Sequence, residues 1–320
     1  MNLRAFSNLP ISSTLLALLL AAALFILGGI LRPGFASFDQ GMNIVRLAAF
    51  LGIIAAGQTL VIISGGEGID LSAGAIVTLG AILVFRIVDG QNSMVLPGLA
   101  VALAAGAAIG LINGLGVTLI GIPPLVMTLG MTGVVQGLIL GITQGVLEGR
   151  AAPIMARLIA RPLIFGIPGV IIFWAILGVL MWLLLQRTTY GKQLFAVGVN
   201  RETARLSGVR VKVVVTLAYT MSGLLAAFGG FMVLGFTQNV FLNLGNRYLF
   251  PSIAAVVVGG TVLAGGKGSY WGTMAGALVL TLLTSLLTAM QFSEAIQQIM
   301  LGLILLALLS IYGRQRGLRQ

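Results

Sequence analysis

Uncharged, mostly apolar stretches of about 20 residues recur along this chain, and they constrain its fold more than any other feature. Residues 11–31 form the first of them, without one charged side chain. A run of that length crosses a bilayer core as a helix, because lipid offers backbone N–H and C=O groups no partners but one another. Ten helices are predicted, over about 11–31, 44–64, 72–88, 94–119, 124–144, 166–186, 213–236, 249–265, 270–291 and 294–313. The expected fold class is therefore all-α: one polytopic transmembrane bundle of about ten spans, occupying residues 1–320 as a single domain. With 58% hydrophobic and 8% charged residues, little chain is left for a soluble domain, where charged residues make up about 25%. The first run is too long for a signal-peptide core and lacks a small-residue exit, so a retained first helix is expected.

The net charge of +11 would suggest a nucleic-acid partner in a soluble protein. Here the cations lie between apolar runs, where they set topology and meet anionic headgroups, so no nucleic acid is expected. Alternate connections divide the cations eleven to seven, and all three lysines (Lys192, Lys212, Lys267) fall on the richer side. The positive-inside bias then makes both termini and the 187–212 connection cytoplasmic. Arg150, Arg157 and Arg161 lie on the opposite side, against the bias. The chain has neither cysteine nor histidine, which excludes disulfides, thiolate metal sites and imidazole proton relays.

Glycine recurs at four-residue spacing in several runs: Gly133, Gly137, Gly141 and Gly145, then Gly110 and Gly114, then Gly272 and Gly276. In lipid such spacing lets helix backbones approach closely, so all three are expected to pack inside the bundle. Two glycine-rich breaks, at 64–74 and 259–268, hint at an internal repeat. In the first, "SGGEGIDLSAG", Glu67 and Asp70 sit between spans, and Asp70 and Ser72 are placed to cap the next helix. The second, "VVVGGTVLAGGKGSYWG", superficially resembles a phosphate loop. It fails because Thr261 stands where the first glycine belongs and Gly268 follows Lys267 instead of Ser or Thr. No ATP site, catalytic constellation or metal set is expected on this chain. Candidate pathway-lining residues are Gln58, Asp70, Ser72, Asn113, Thr128 and Thr132, neutral polar groups plus one acid that could hydrogen-bond a hydroxylated solute or simply join helices.

The 187–212 connection carries six of the 18 cations and one acid. Within it Asn200 suits an N-cap, Glu202 the first turn and Gly208 the residue after the helix. Val199 and Ala204 are spaced for a hydrophobic staple. A two-turn helix over 201–207 is predicted on the cytoplasmic surface. It is too short to persist alone, so it is expected to dock on a partner protein. Its candidate docking residues are Asn200, Glu202, Ala204, Arg205, Leu206, Ser207 and Gly208, with Gly191 upstream.

Three segments carry a resemblance to a known family: "GIDLSAG" (68–74), "TTYGKQLFAVGVNRETARLSGVRV" (188–211) followed by "SGLLAAFGG" (222–230), and "IAAVVVGGTVLAGGKGSYWGTMAGAL" (253–278). In order, length and hydropathy the chain resembles permease subunits of ribose-type monosaccharide ABC importers of the bacterial inner membrane. The resemblance implies a second permease subunit, identical or paralogous, ABC-type ATPase subunits that carry ATP and Mg, and a periplasmic sugar-binding protein. It makes 200–208 the coupling helix that seats on the ATPase. Two departures point to a sub-family whose solute differs from ribose: Phe250, Pro251 and Ser252 stand where acids are common in the family, and "GGEG" precedes "IDLS". The alternatives are an ABC permease for nucleosides or branched-chain amino acids, and an ion-coupled secondary transporter using Glu67 or Asp70.

Overall fold

The computed structural model describes residues 12–300 together with 302, 303 and 306. Its helices are α1 (Ser13–Leu31), α2 (Phe38–Ile63), α3 (Ala73–Val88), α4 (Val95–Leu115), α5 (Pro124–Thr143), the short α6 (Pro153–Met155), α7 (Gly169–Arg187), α8 (Thr189–Val199), α9 (Arg201–Leu206), α10 (Val211–Thr237), α11 (Asn246–Val258) and α12 (Tyr270–Ala289). Among the described residues seven helical stretches are long and apolar enough to cross a membrane, while α3 and α11 are shorter apolar helices. Of the predicted tenth helix, residues 294–300, 302, 303 and 306 are helical, and the rest lies outside the described residues, as do both terminal segments. The architecture is an all-α polytopic bundle.

Helix α10 is the axis, packed against α2, α3 and α4. Against α4 the backbones touch: a Cβ on Gly110 would collide with the Tyr219 carbonyl, and one on Gly223 with the Gly106 carbonyl. Gly276 approaches Ala255 in the same way between α11 and α12. Two of the three glycine runs are therefore packing seams, as expected. The third is not. Nothing lies within 4 Å of a Cβ built on Gly133, Gly137 or Gly141, and these residues are exposed, so α5 presents its glycine face outward. The four-residue spacing is the same in all three runs; whether a neighbour covers it is decided by the bundle.

Two boundaries differ from expectation for local reasons, and one helix is additional. The predicted 166–186 helix starts at Gly169, because β1 (Pro162–Ile164) and β2 (Ile167–Pro168) form a small antiparallel hairpin just before it. Its turn residues Phe165 and Gly166 have φ of 49° and 79°, the left-handed pair a tight hairpin requires. The predicted 249–265 helix ends at Val258, where Gly260 at φ 89° turns the chain. The 187–212 connection contains a second helix that was not anticipated, α8, which buries Gly191, Leu194 and Val197. The Thr188 hydroxyl caps it by accepting from the Gly191 N–H at 3.1 Å, and that cap followed by apolar residues at helical spacing was the missed signal.

Candidate coupling surface and buried polar hub

At one end of the bundle α9 stands out from the surface, formed as its caps require. The Asn200 side chain accepts from the Thr203 N–H at 2.9 Å. At the other terminus the Gly208 N–H donates to the Arg205 carbonyl and the Val209 N–H to the Ala204 carbonyl, both at 3.0 Å. With Gly208 at φ 82°, this is a Schellman motif. Arg205 grips both carboxylate oxygens of Glu202, at 2.6 and 3.1 Å, and holds the Glu202 carboxyl below its ordinary range. The pair is fully exposed, so it adds little to stability; it fixes the shape of the outer face. Ala204 is buried against the body of the protein, whereas Leu206 is 77% exposed. Val199 is 73% exposed, which does not fit the predicted staple. Gly191 does not share this surface: it lies at the α7–α8 elbow, where a Cβ would meet the Leu184 and Leu185 carbonyls.

The six candidate pathway residues, which lie far apart in sequence, come together around the break between α2 and α3. The Gln58 side chain donates to the Asp70 carbonyl at 2.6 Å and accepts from the Asp70 N–H at 3.2 Å. The Asp70 carboxylate accepts from the Ser72 N–H at 3.0 Å, the Ser72 hydroxyl at 2.6 Å and the Ser222 hydroxyl at 2.7 Å. Asn113 donates to Ser72 at 2.9 Å. Thr128 and Thr132 donate to the Ile69 and Leu71 carbonyls at 3.2 and 3.0 Å. A non-helical segment at membrane depth must have its backbone satisfied by protein; Gln58 of α2 and Thr128 and Thr132 of α5 do so, while Asn113 of α4 and Ser222 of α10 hold the side chains of Ser72 and Asp70. Gln58, Asp70, Ser72, Asn113 and Thr128 have no exposed surface, so in this conformation they form a closed hub and line no open channel. Ser222 was not among the candidate pathway residues. The spacing gave no reason to pair it with an aspartate 152 residues away.

The two glycine-rich breaks also meet. The Gly266 N–H donates to the Ile63 carbonyl at 2.9 Å, and Gly65, Gly198 and Gly265 touch backbone to backbone. The left-handed φ values of Gly65, Gly265 and Gly266, at 70°, 92° and 72°, let three chain segments share one point. Arg201, the first residue of α9, donates from Nη2 to the Gly65 carbonyl at 3.0 Å.

Seven helical stretches among the described residues, each long and apolar enough to cross a membrane and packed around a buried, backbone-satisfied break, define a multi-pass membrane protein. More narrowly, the chain belongs to the family described as "Branched-chain amino acid transport system / permease component", which matches residues 41–309. It is similar to ribose import permease protein RbsC of Bacillus subtilis, at 36% identity over 88% of this chain and 87% of the relative. It is also similar to the Escherichia coli K12 protein of the same name, at 33% identity over 92% and 90%. A third relative is the autoinducer 2 import system permease protein LsrC of Yersinia enterocolitica, at 33% identity over 94% and 82%. No solved structure is a match for the chain.

Proposed function

We propose that the chain is the membrane-spanning permease subunit of an ABC importer for a monosaccharide or similar small polyol, a transport component of the inner membrane and not an enzyme. The observation that carries the reading is α9, a short helix capped at both ends that offers Glu202, Arg205 and Leu206 to the aqueous side. A six-residue helix has no stability of its own in water, and its defined outer shape suits a protein groove. The relatives named for ribose and autoinducer 2 import supply the solute class.

In this reading ATP and Mg bind a separate ATPase subunit, and a periplasmic binding protein delivers the solute. A second permease subunit covers the open glycine face of α5. ATP-driven closure of the ATPases pulls α9, which reorients α7 and α10 and opens the pathway between subunits to alternate sides. The ion-coupled alternative requires a carboxylate open to an ion path; the Asp70 carboxylate is instead taken up by Ser72 and Ser222.

The test is co-purification from detergent-solubilised membranes. An ATPase is expected to accompany the native chain and to be lost from Glu202→Ala/Arg205→Ala. A chain that purifies alone and moves solute in liposomes without ATP would refute the reading.

A further inference from the structure

Helix α9 has three connections to the body of the bundle. Two are covalent, through Asn200 to α8, whose Gly198 touches Gly65, and through Ser207–Arg210 into α10. The third is lateral. The Arg201 guanidinium is partly buried and reaches the Gly65 carbonyl 136 residues away in sequence. It lies over Gly66, where a Cβ would run into it. Gly65 sits in the glycine junction and Asp70 only five residues further on. Asp70 in turn holds Ser222, eleven residues into α10, and through Ser72 holds Asn113 of α4. The lateral route and the route into α10 therefore converge on α10 at Ser222. A movement of α9 carried only into α10 would pull α10 against the Asp70–Ser222 bond. Arg201 adds a side-chain hold on the 64–72 segment beside the backbone contact of Gly198 with Gly65.

We infer that Arg201 is a positioning residue that transmits displacement of α9 to the α2–α3 break, so that the break and α10 shift together. The inference rests on the reading that α9 engages an ATPase. The other side chains of α9 face outward apart from Ala204, and Ala204 has no polar group with which to pull. Arg201 is the residue on this helix with a charge-assisted bond into the core, and such bonds are about twice as strong as neutral ones.

Backbone hydrogen exchange on the chain–ATPase complex, with and without ATP plus vanadate, tests this without knowledge of the solute. In the native complex, nucleotide is expected to change exchange both in α9 and in residues 64–72. In Arg201→Ala the α9 response is kept, and the 64–72 response falls at least about fivefold, the lower range of an ordinary intersite coupling. Arg201→Met keeps the stem over Gly66 and removes only the donor, so it should behave alike, and Arg201→Lys should restore part of the response. An undiminished 64–72 response in either Ala or Met variant overturns the inference while leaving α9 as the docking element. Failure of Arg201→Met to assemble also overturns it, by making Arg201 a folding residue. A native complex in which α9 itself does not respond removes the reading beneath it.

Discussion

Replacing Asp70 tests whether the hub works through hydrogen bonds or through charge. Asp70→Ala leaves three donors without an acceptor: the Ser72 N–H, the Ser72 hydroxyl and the Ser222 hydroxyl. It also frees the Ser72 hydroxyl that orients Asn113. At about 0.6–1 kcal/mol per bond, the three bonds come to about 2–3 kcal/mol. Asp70→Asn keeps an oxygen for Ser72 and turns an amide toward Ser222, whose hydroxyl accepts as readily as it donates; its cost should stay below about 1 kcal/mol. Thermal unfolding in detergent, followed by the fluorescence of the three tryptophans, reads the difference. The Ala variant should melt about 5 °C or more below the native chain, and the Asn variant within a few degrees. Solute uptake by the importer should follow the same order. An Asn variant as damaged as the Ala variant would refute the reasoning. It would mean that the negative charge itself is needed, as it is where a carboxylate holds a cation.

Other expectations follow from single contacts. Gly208→Val places a β-branched residue at φ 82°, at a cost of roughly 1–2 kcal/mol or more, and should abolish ATPase co-purification while membrane insertion persists. Asn200→Ala removes the side-chain cap of α9, worth about 1 kcal/mol, and should raise hydrogen exchange across 201–206 without changing the melting temperature of the bundle. Gly110→Leu drives a side chain into the Tyr219 carbonyl across the α4–α10 contact and should prevent accumulation of folded protein, whereas Gly137→Leu, with open space around it, should leave the monomer folded and impair only assembly with a second permease, seen by light scattering. Because Arg205 lowers the Glu202 carboxyl below its ordinary value of 4.5, the contribution of the pair is complete above that value and lost as pH falls through the lower folded value. ATPase co-purification should therefore be flat between about pH 6 and 8 and weaken only in acid.

Much of this protein is legible in its residues. Apolar run lengths place most of the helices because a bilayer accepts backbone only in satisfied form. The ends of α9 could be read from Asn200 and Gly208 because capping is a local matter, settled within four residues of chain. The three glycine runs show the limit of such reading: identical spacing becomes a seam on α4 and α12 and an open face on α5, because packing depends on a second helix that the spacing does not name. The six polar residues singled out as candidate pathway lining lie together in the fold, but the contacts that join them were not legible in the sequence. Gln58, Asp70, Asn113 and Thr128 are neighbours only after α2, α4 and α5 enclose the break. The same holds for the contact of Arg201 with Gly65 and for the meeting of the two glycine-rich breaks. Local chemistry, then, determined the helices, their caps and the membrane class from the sequence alone. The closed hub, the glycine junction and the lateral link from α9 were decided by tertiary structure, since each needs contacts between segments distant in the sequence, such as Thr128 with Ile69, Ser222 with Asp70 and Arg201 with Gly65, whose pairing only the packed bundle selects.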